Sequence, residues 1–144
     1  MPTLVRRKAP GAPALDPRRV RVLGDRMLSE LELAEAELSV LLTDDSLIRE
    51  LNRDHRNKDR PTDVLAFGLD ESWVAGERLL GDVVISLDTA QRQANSRRRP
   101  LLEEVRFLLA HGLLHLCGYD HLTPPDKREM DALTRRLVRA ASRK

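Results

Sequence analysis

Apolar residues recur along this chain in two rhythms, one close to the helical period and one of short unbroken runs, and their alternation sets an order of elements. Val20, Leu23, Met27, Leu28 and Leu31 follow Asp16 and Pro17 at helical spacing. That pattern predicts an N-cap at Asp16, Pro17 at the first helical position and a helix to about Ala34. Before it, Thr3 to Arg7 reads as a short strand, and Ala9 to Pro17, rich in Pro, Gly and Ala, as an exposed connection. Glu37 to Thr43 carries Leu38, Val40, Leu41 and Leu42 between polar residues, which suits a mostly buried strand. Asp44 and Asp45 then offer N-caps for a helix through about Arg53.

His55 to Pro61 is charged and ends in a proline, so it reads as a loop entering a strand at Asp63 to Phe67. Leu79 to Leu87 reads as another strand, with Gly81 and Asp82 marking a bulge or a close backbone approach. Asp88 to Ser96 suits a helix. Pro100 restarts the chain into a helix from Leu101 to about Cys117, and Pro124 and Pro125 open a last one to about Ser142. About four strands and five helices in this mixed order predict an α/β or α+β class around one sheet, and 144 residues fit one domain spanning 1–144.

Composition narrows the function. With 41% hydrophobic and 33% charged residues, the chain has the balance of a soluble globular protein and is too apolar for a disordered one. Aromatics are 3%, so Leu, Val and Ala must do the packing, and base stacking is excluded as the main recognition device. The 25 Lys and Arg nearly match 23 Asp and Glu, which leaves local clusters as the informative feature. Arg6 to Lys8, Arg18 to Arg21, Arg97 to Arg99 and Arg135 to Lys144 could each meet phosphate or simply be solvated surface. Cys117 is the only cysteine, so no intramolecular disulfide is possible. The sequence has neither an apolar run of bilayer length nor a signal-peptide core at its N-terminus, and the expected compartment is the cytoplasm, with no membrane partner.

The strongest chemical signal is HGLLHLCGYDH, residues 111 to 121, which holds three of the four histidines. His111 and His115 are four apart within a helical pattern, so both rings leave one helix face a turn apart and can converge on one ion. A third ligand requires the chain to bend, and Gly118 stands where glycine can take the left-handed conformation that ends a helix and returns His121 toward the metal. Three neutral imidazoles would fill three positions of a tetrahedral zinc and leave one to water, which is the layout of a catalytic site. Asp120 is a possible fourth ligand or an outer partner of the ligands.

The spacing equals that of the metzincin peptidases, but their glutamate general base is replaced here by Gly112. Glu104, two turns before His111, is placed for support behind the ligands rather than for the missing base. A metallopeptidase is therefore disfavoured.

HGLLHLCGYDH resembles the motif of the YbeY family, bacterial endoribonucleases of ribosomal RNA maturation. HRNKDRPTDVLAF, from His55 to Phe67, is similar to that family's second signature, and LGDVVIS, Leu80 to Ser86, matches a third stretch. The resemblance covers about residues 50 to 125. It implies a mixed sheet with helices around it, one zinc ion per chain on His111, His115 and His121, and a functional arginine at Arg56. It also implies RNA as substrate, with small-subunit ribosomal RNA and ribosomal proteins or assembly factors as partners, in ribosome maturation and quality control. Single-stranded RNA is favoured because the chain has no obvious double-strand reader. A guanidinium at Arg56 could hold a phosphate bidentately, while Lys58 and Arg60 hold the RNA backbone. The chain departs from the family at Ala66, where serine is usual, and at Gly68, where proline is common. The alternative from another class is a non-catalytic ribosome-assembly factor with a structural zinc.

Overall fold

The computed structural model describes residues 3–68, 79–120 and 122–142. Strands β1 (Thr3–Lys8), β2 (Glu37–Thr43), β3 (Val64–Phe67) and β4 (Leu79–Ser86) form one sheet in the order β1-β2-β4-β3. β1, β2 and β4 run parallel, and β3 lies antiparallel to β4 at the edge, with Val64 opposite Ile85 and Phe67 opposite Asp82. The sheet is therefore mixed. Helices α1 (Pro17–Glu30), α2 (Asp45–Arg56), α3 (Leu87–Ser96), α4 (Leu101–Leu116) and α5 (Pro124–Ala141) complete the described elements. None of them is long and apolar enough to cross a membrane.

Strand alternation divides the core in two. Val40 and Leu42 of β2 and Val83 and Ile85 of β4 pack with Met27 and Leu28 of α1, Leu109 and Leu113 of α4, and Met130 and Leu137 of α5. On the opposite face, Leu65 and Phe67 of β3 and Val84 of β4 meet Ile48 and Leu51 of α2. The edge strand β3 consequently contributes to both sides: Val64 and Ala66 face α4, and Leu65 and Phe67 face α2. Each such fully buried aliphatic side chain contributes about 1.5–3 kcal/mol.

Local chemistry explains the boundaries. Asp16 accepts the Arg18 N–H at 2.9 Å, so the predicted cap and Pro17 start α1. The helix ends at Glu30 and not near Ala34. Glu32 takes φ +60°, and the Leu33 N–H returns to the Leu28 carbonyl at 2.8 Å, closing the turn before the apolar pattern runs out. α2 runs on to Arg56, beyond the expected stop at Arg53, because the left-handed residue that closes it is Asn57 at φ +61°. His55 and Arg56 therefore belong to a helix end, where cations are favoured, and not to a loop. β4 ends at Ser86, whose side chain accepts from the Thr89 N–H at 3.3 Å and starts α3 one residue earlier than expected. At Gly81, φ is +145° and a Cβ would collide with the Phe67 carbonyl, so the close backbone approach is real.

A polar knot ties α2 to the β4–α3 junction. The Asp45 carboxylate accepts from Ser86 Oγ and Thr89 Oγ1, both at 2.6 Å, and from Arg92 Nη2 at 2.8 Å. The Asp45 N–H in turn donates to Asp88 Oδ2 at 3.0 Å. Burial alone would raise the Asp45 carboxyl, but the hydrogen bonds from Ser86, Thr89 and Arg92 outweigh it and hold the group below its ordinary 3.8. Because the folded value is the lower one, this contribution is complete above 3.8 and is lost as pH falls through the folded value. Asp45→Asn is expected to cost about 1–3 kcal/mol in denaturant unfolding near neutral pH. The gap to the parent protein should narrow at a pH of about 3, and a gap equal at both pH values would remove the charge from the account.

Candidate metal and phosphate site

The last two turns of α4 carry His111 and His115, and the antiparallel edge strand β3 faces them. Their ring centroids lie 5.0 Å apart with planes at 73°, and both rings are half-buried. A cleft of about 250 Å³ opens between the two elements, walled by Asp63, Val64, Ala66, Phe107 and the two histidines. Phe107, one turn before His111, stacks on it at 6.2 Å with planes 24° apart.

The floor of this cleft is made by Gly112. A Cβ at this position would stand 2.7 Å from Val83 Cγ1 and 3.3 Å from Val64 Cγ2, so α4 lies too close to the sheet for any side chain there. The absence of a glutamate after the first histidine thus has a packing cause: a peptidase-type base at position 112 has no room.

α4 ends as the sequence predicts. Gly118 takes φ +94°, its N–H donates to the His115 carbonyl at 3.0 Å, and the Tyr119 N–H reaches back to Leu114 at 3.0 Å. The chain turns immediately before Asp120, which is exposed. His121, the third expected ligand, lies outside the described residues. Among the described residues, no group of three or more His, Cys, Asp or Glu side chains gathers as a metal site. The two described histidines are compatible with one: adjacent imidazoles on one cleft can supply two of the nitrogen donors that a zinc-type ion takes. Burial pushes the Cys117 thiol above the ordinary 9.0.

Arg56 approaches from the other face of β3. Its Nη1 donates to the His55 carbonyl at 3.1 Å and its Nη2 to the Ala66 carbonyl at 2.8 Å. The guanidinium carbon sits 4.7 Å from the centre of the Phe67 ring, which His55 meets edge-on at 5.0 Å. Ala66 thus has its side chain in the histidine cleft and its carbonyl on Arg56. Lys58 and Arg60 join Arg56 along a separate groove of about 580 Å³ on the α2 side. Buried Asn52 fixes their loop by donating to the Arg60 carbonyl at 2.9 Å.

Glu104 is fully buried, and the structure gives it partners that its spacing from His111 does not suggest. Oε2 accepts from Arg97 Nη1 at 2.7 Å, and Oε1 accepts from Arg99 Nε and Nη2 at 3.0 and 2.9 Å. Its visible role is to gather two arginines of the α3–α4 turn.

The sequence reading assigns no role to three neighbours of the histidines. Asp63 brings a carboxylate into the cleft wall, held by the Val64 N–H at 2.8 Å, Thr62 Oγ1 at 3.3 Å and Gln93 Nε2 at 3.2 Å. Its sequence signals are its place in the second family signature and at the entry of a strand whose alternate residues face α4. Phe107 and Asp131 give no such signal. Asp131 on α5 is held below 3.8, first by its hydrogen bond from Lys127, against an opposing desolvation, and then by the charges of Lys127, Arg135 and His111.

A model of the family described as Endoribonuclease YbeY matches residues 17–142. A relative from Anaeromyxobacter sp. (strain Fw109-5), named Endoribonuclease YbeY, is 52% identical over 123 residues, 85% of this chain and 64% of that protein. A second of the same name, from Aquifex aeolicus (strain VF5), is 56% identical over 94 residues, 65% of this chain and 62% of that protein. The chain therefore spans less than two thirds of the length of these curated relatives. A solution structure of a Thermotoga maritima protein shares the fold, with a TM-score of 0.66 at 23% identity, covering 96% of this chain and 89% of that one.

The close approach at Gly112 generates a stability test. Gly112→Ala gains about 1 kcal/mol of helix propensity but overpacks the cleft floor at a cost of about 1–3 kcal/mol, and a net destabilisation of up to about 2 kcal/mol is expected from denaturant unfolding. The loss should be non-additive with Val83→Ala, the double variant costing less than the two single costs together. Additive costs would show that Val83 is not what position 112 meets.

Proposed function

Because the chain belongs to the YbeY family, we propose that it is a metal-dependent endoribonuclease acting on single-stranded RNA in ribosomal RNA maturation. The observation that carries this reading is the meeting of two different chemistries on one edge strand: a paired-imidazole cleft on one face of β3 and a locked guanidinium on the other. His111, His115 and His121 hold one zinc ion per chain. When bound, such an ion supplies Lewis-acid polarisation of the phosphodiester.

The chain's own groups divide the remaining work. Arg56, held by two carbonyls and the Phe67 ring, supplies the cation for charge that develops on phosphorus, and its fixed position supports this role by limiting reorganisation. Asp63 is oriented by three hydrogen bonds and acts as the proton acceptor in the cleft wall. Lys58 and Arg60 neutralise backbone phosphates on the α2 side, a contribution that weakens with salt. The substrate is small-subunit ribosomal RNA, the setting ribosome maturation and quality control in the cytoplasm with ribosomal proteins or assembly factors nearby, and residues 1–144 work as one domain.

The metal and the arginine separate in experiment. His115→Ala should lower zinc from about one ion per chain to near none by elemental analysis, with loss of ribosomal RNA cleavage. A variant that keeps its full zinc would remove His115 from the ligand set. Arg56→Glu should retain zinc and lose RNA cleavage by about a hundredfold or more. Unchanged cleavage would take Arg56 out of the mechanism, and a parent chain that binds zinc and RNA but cleaves none would instead be a non-catalytic assembly factor.

A further inference from the structure

The histidine cleft has a neighbour that the proposed mechanism leaves unused. A groove of about 320 Å³ runs between α4 and α5, lined by Phe107, Asp131, Thr134, Arg135, Val138 and Arg139. Phe107 is the shared wall, since it also lines the cleft and stacks on His111. The two depressions therefore adjoin across one ring.

The charges of this groove are unequally engaged. Lys127 donates to Asp131 at 2.9 Å, and Arg136, on the other side of α5, reaches Glu30. The side chains of Arg135 and Arg139, one turn apart and exposed, donate no hydrogen bond among the described residues. Lys127 hydrogen-bonds Asp131, whose charge also acts on Arg135, and counting Lys127 with the lining residues leaves the groove with a net positive charge. At its rim, Arg97 and Arg99 lie with their guanidinium carbons 5.8 and 5.7 Å from the Phe107 centroid, gathered there by buried Glu104. Two arginines on one carboxylate add one further net positive charge. The floor is apolar at Phe107 and Val138, and the Thr134 hydroxyl is satisfied by the Met130 carbonyl at 2.8 Å.

We propose that the α4–α5 groove carries the sugar-phosphate backbone of single-stranded RNA away from the histidine cleft, with Arg135 and Arg139 on successive phosphates and Phe107 as the threshold. A cationic rim over an apolar floor matches a single strand, which presents phosphates on one side and sugar or base faces on the other. The track then has two halves, Arg56, Lys58 and Arg60 on one side of the histidines and Arg135 and Arg139 on the other. This inference rests on the endoribonuclease reading and adds a substrate path to it.

The test compares RNA lengths with the zinc-loaded full chain. Arg135→Glu/Arg139→Glu should weaken binding of a fluorescent single-stranded RNA of about 20 nucleotides by about tenfold or more at moderate salt. The slope of log affinity against log salt should fall by about 1.4, the value for two lost single-strand phosphate contacts. An oligonucleotide of about 4 nucleotides, long enough only for the cleft, should lose less than about twofold. The lysine pair Arg135→Lys/Arg139→Lys should restore the long-RNA affinity, with zinc content and melting unchanged throughout. Unchanged affinity for the long RNA, or equal losses for both lengths, would overturn the groove assignment and leave the endoribonuclease reading standing. A parent chain that binds neither RNA would overturn that reading and this one together.

Discussion

Helix α4 can rest on the sheet only because position 112 has no side chain, and the rest of the site follows from that contact. With Val83 and Val64 filling the space a Cβ would need, the helix axis is drawn down onto β4 and the edge strand β3. His111 and His115 then flank the point of closest approach, half in the packed interface and half open to the cleft. A wider helix-to-sheet separation would admit a larger residue at 112 and would also lift both rings from the Val64–Ala66 wall. The same contact buries Leu109 and Leu113 against Val83 and Ile85, so the anchoring of the site and the packing of the core are one feature.

The second organising device is the edge position of β3. An internal strand would have both its sides paired, whereas β3 has β4 on one side only. Its outer edge leaves the Ala66 carbonyl available to the Arg56 guanidinium. Four residues of strand therefore present a cleft wall to α4, a packing surface to α2 and a carbonyl anchor to a cation. Because side chains alternate, the imidazole and guanidinium chemistries approach the same strand from opposite faces without competing for space.

Buried or half-buried acids hold the framework around this strand. Asp45 joins α2 to the start of α3, and Glu104 joins the α3–α4 turn to α4 through Arg97 and Arg99. Removing one partner of a buried charge pair costs about 3–5 kcal/mol, although the half-exposed Arg97 places its own share lower. These acids also set where cations point. Glu104 turns two arginines toward Phe107, while Arg98, at φ +53° between them, supplies the left-handed turn that makes the convergence possible.

What the sequence determined alone is what local chemistry controls. Asp16 with Pro17 starts a helix, Gly118 ends another, and the apolar runs of β2 and β4 read as buried strands, because caps, backbone conformations and residue periodicity act over a few neighbours. The pairing of His111 with His115 was equally legible, since four residues make one helical turn. The stops at Glu30 and Arg56 were not, because non-glycine residues at 32 and 57 adopt left-handed conformations that their identity permits without requiring. Only the tertiary structure decided that Asp63 and Phe107 wall the histidine cleft with Asp131 nearby, that Glu104 serves Arg97 and Arg99, and that Arg56 holds the Ala66 carbonyl from the opposite face of the edge strand. Asp63, Asp131 and Arg56 meet their partners across separate elements, and even the nearer contacts of Phe107 and Glu104 depend on how helices, turns and strands pack.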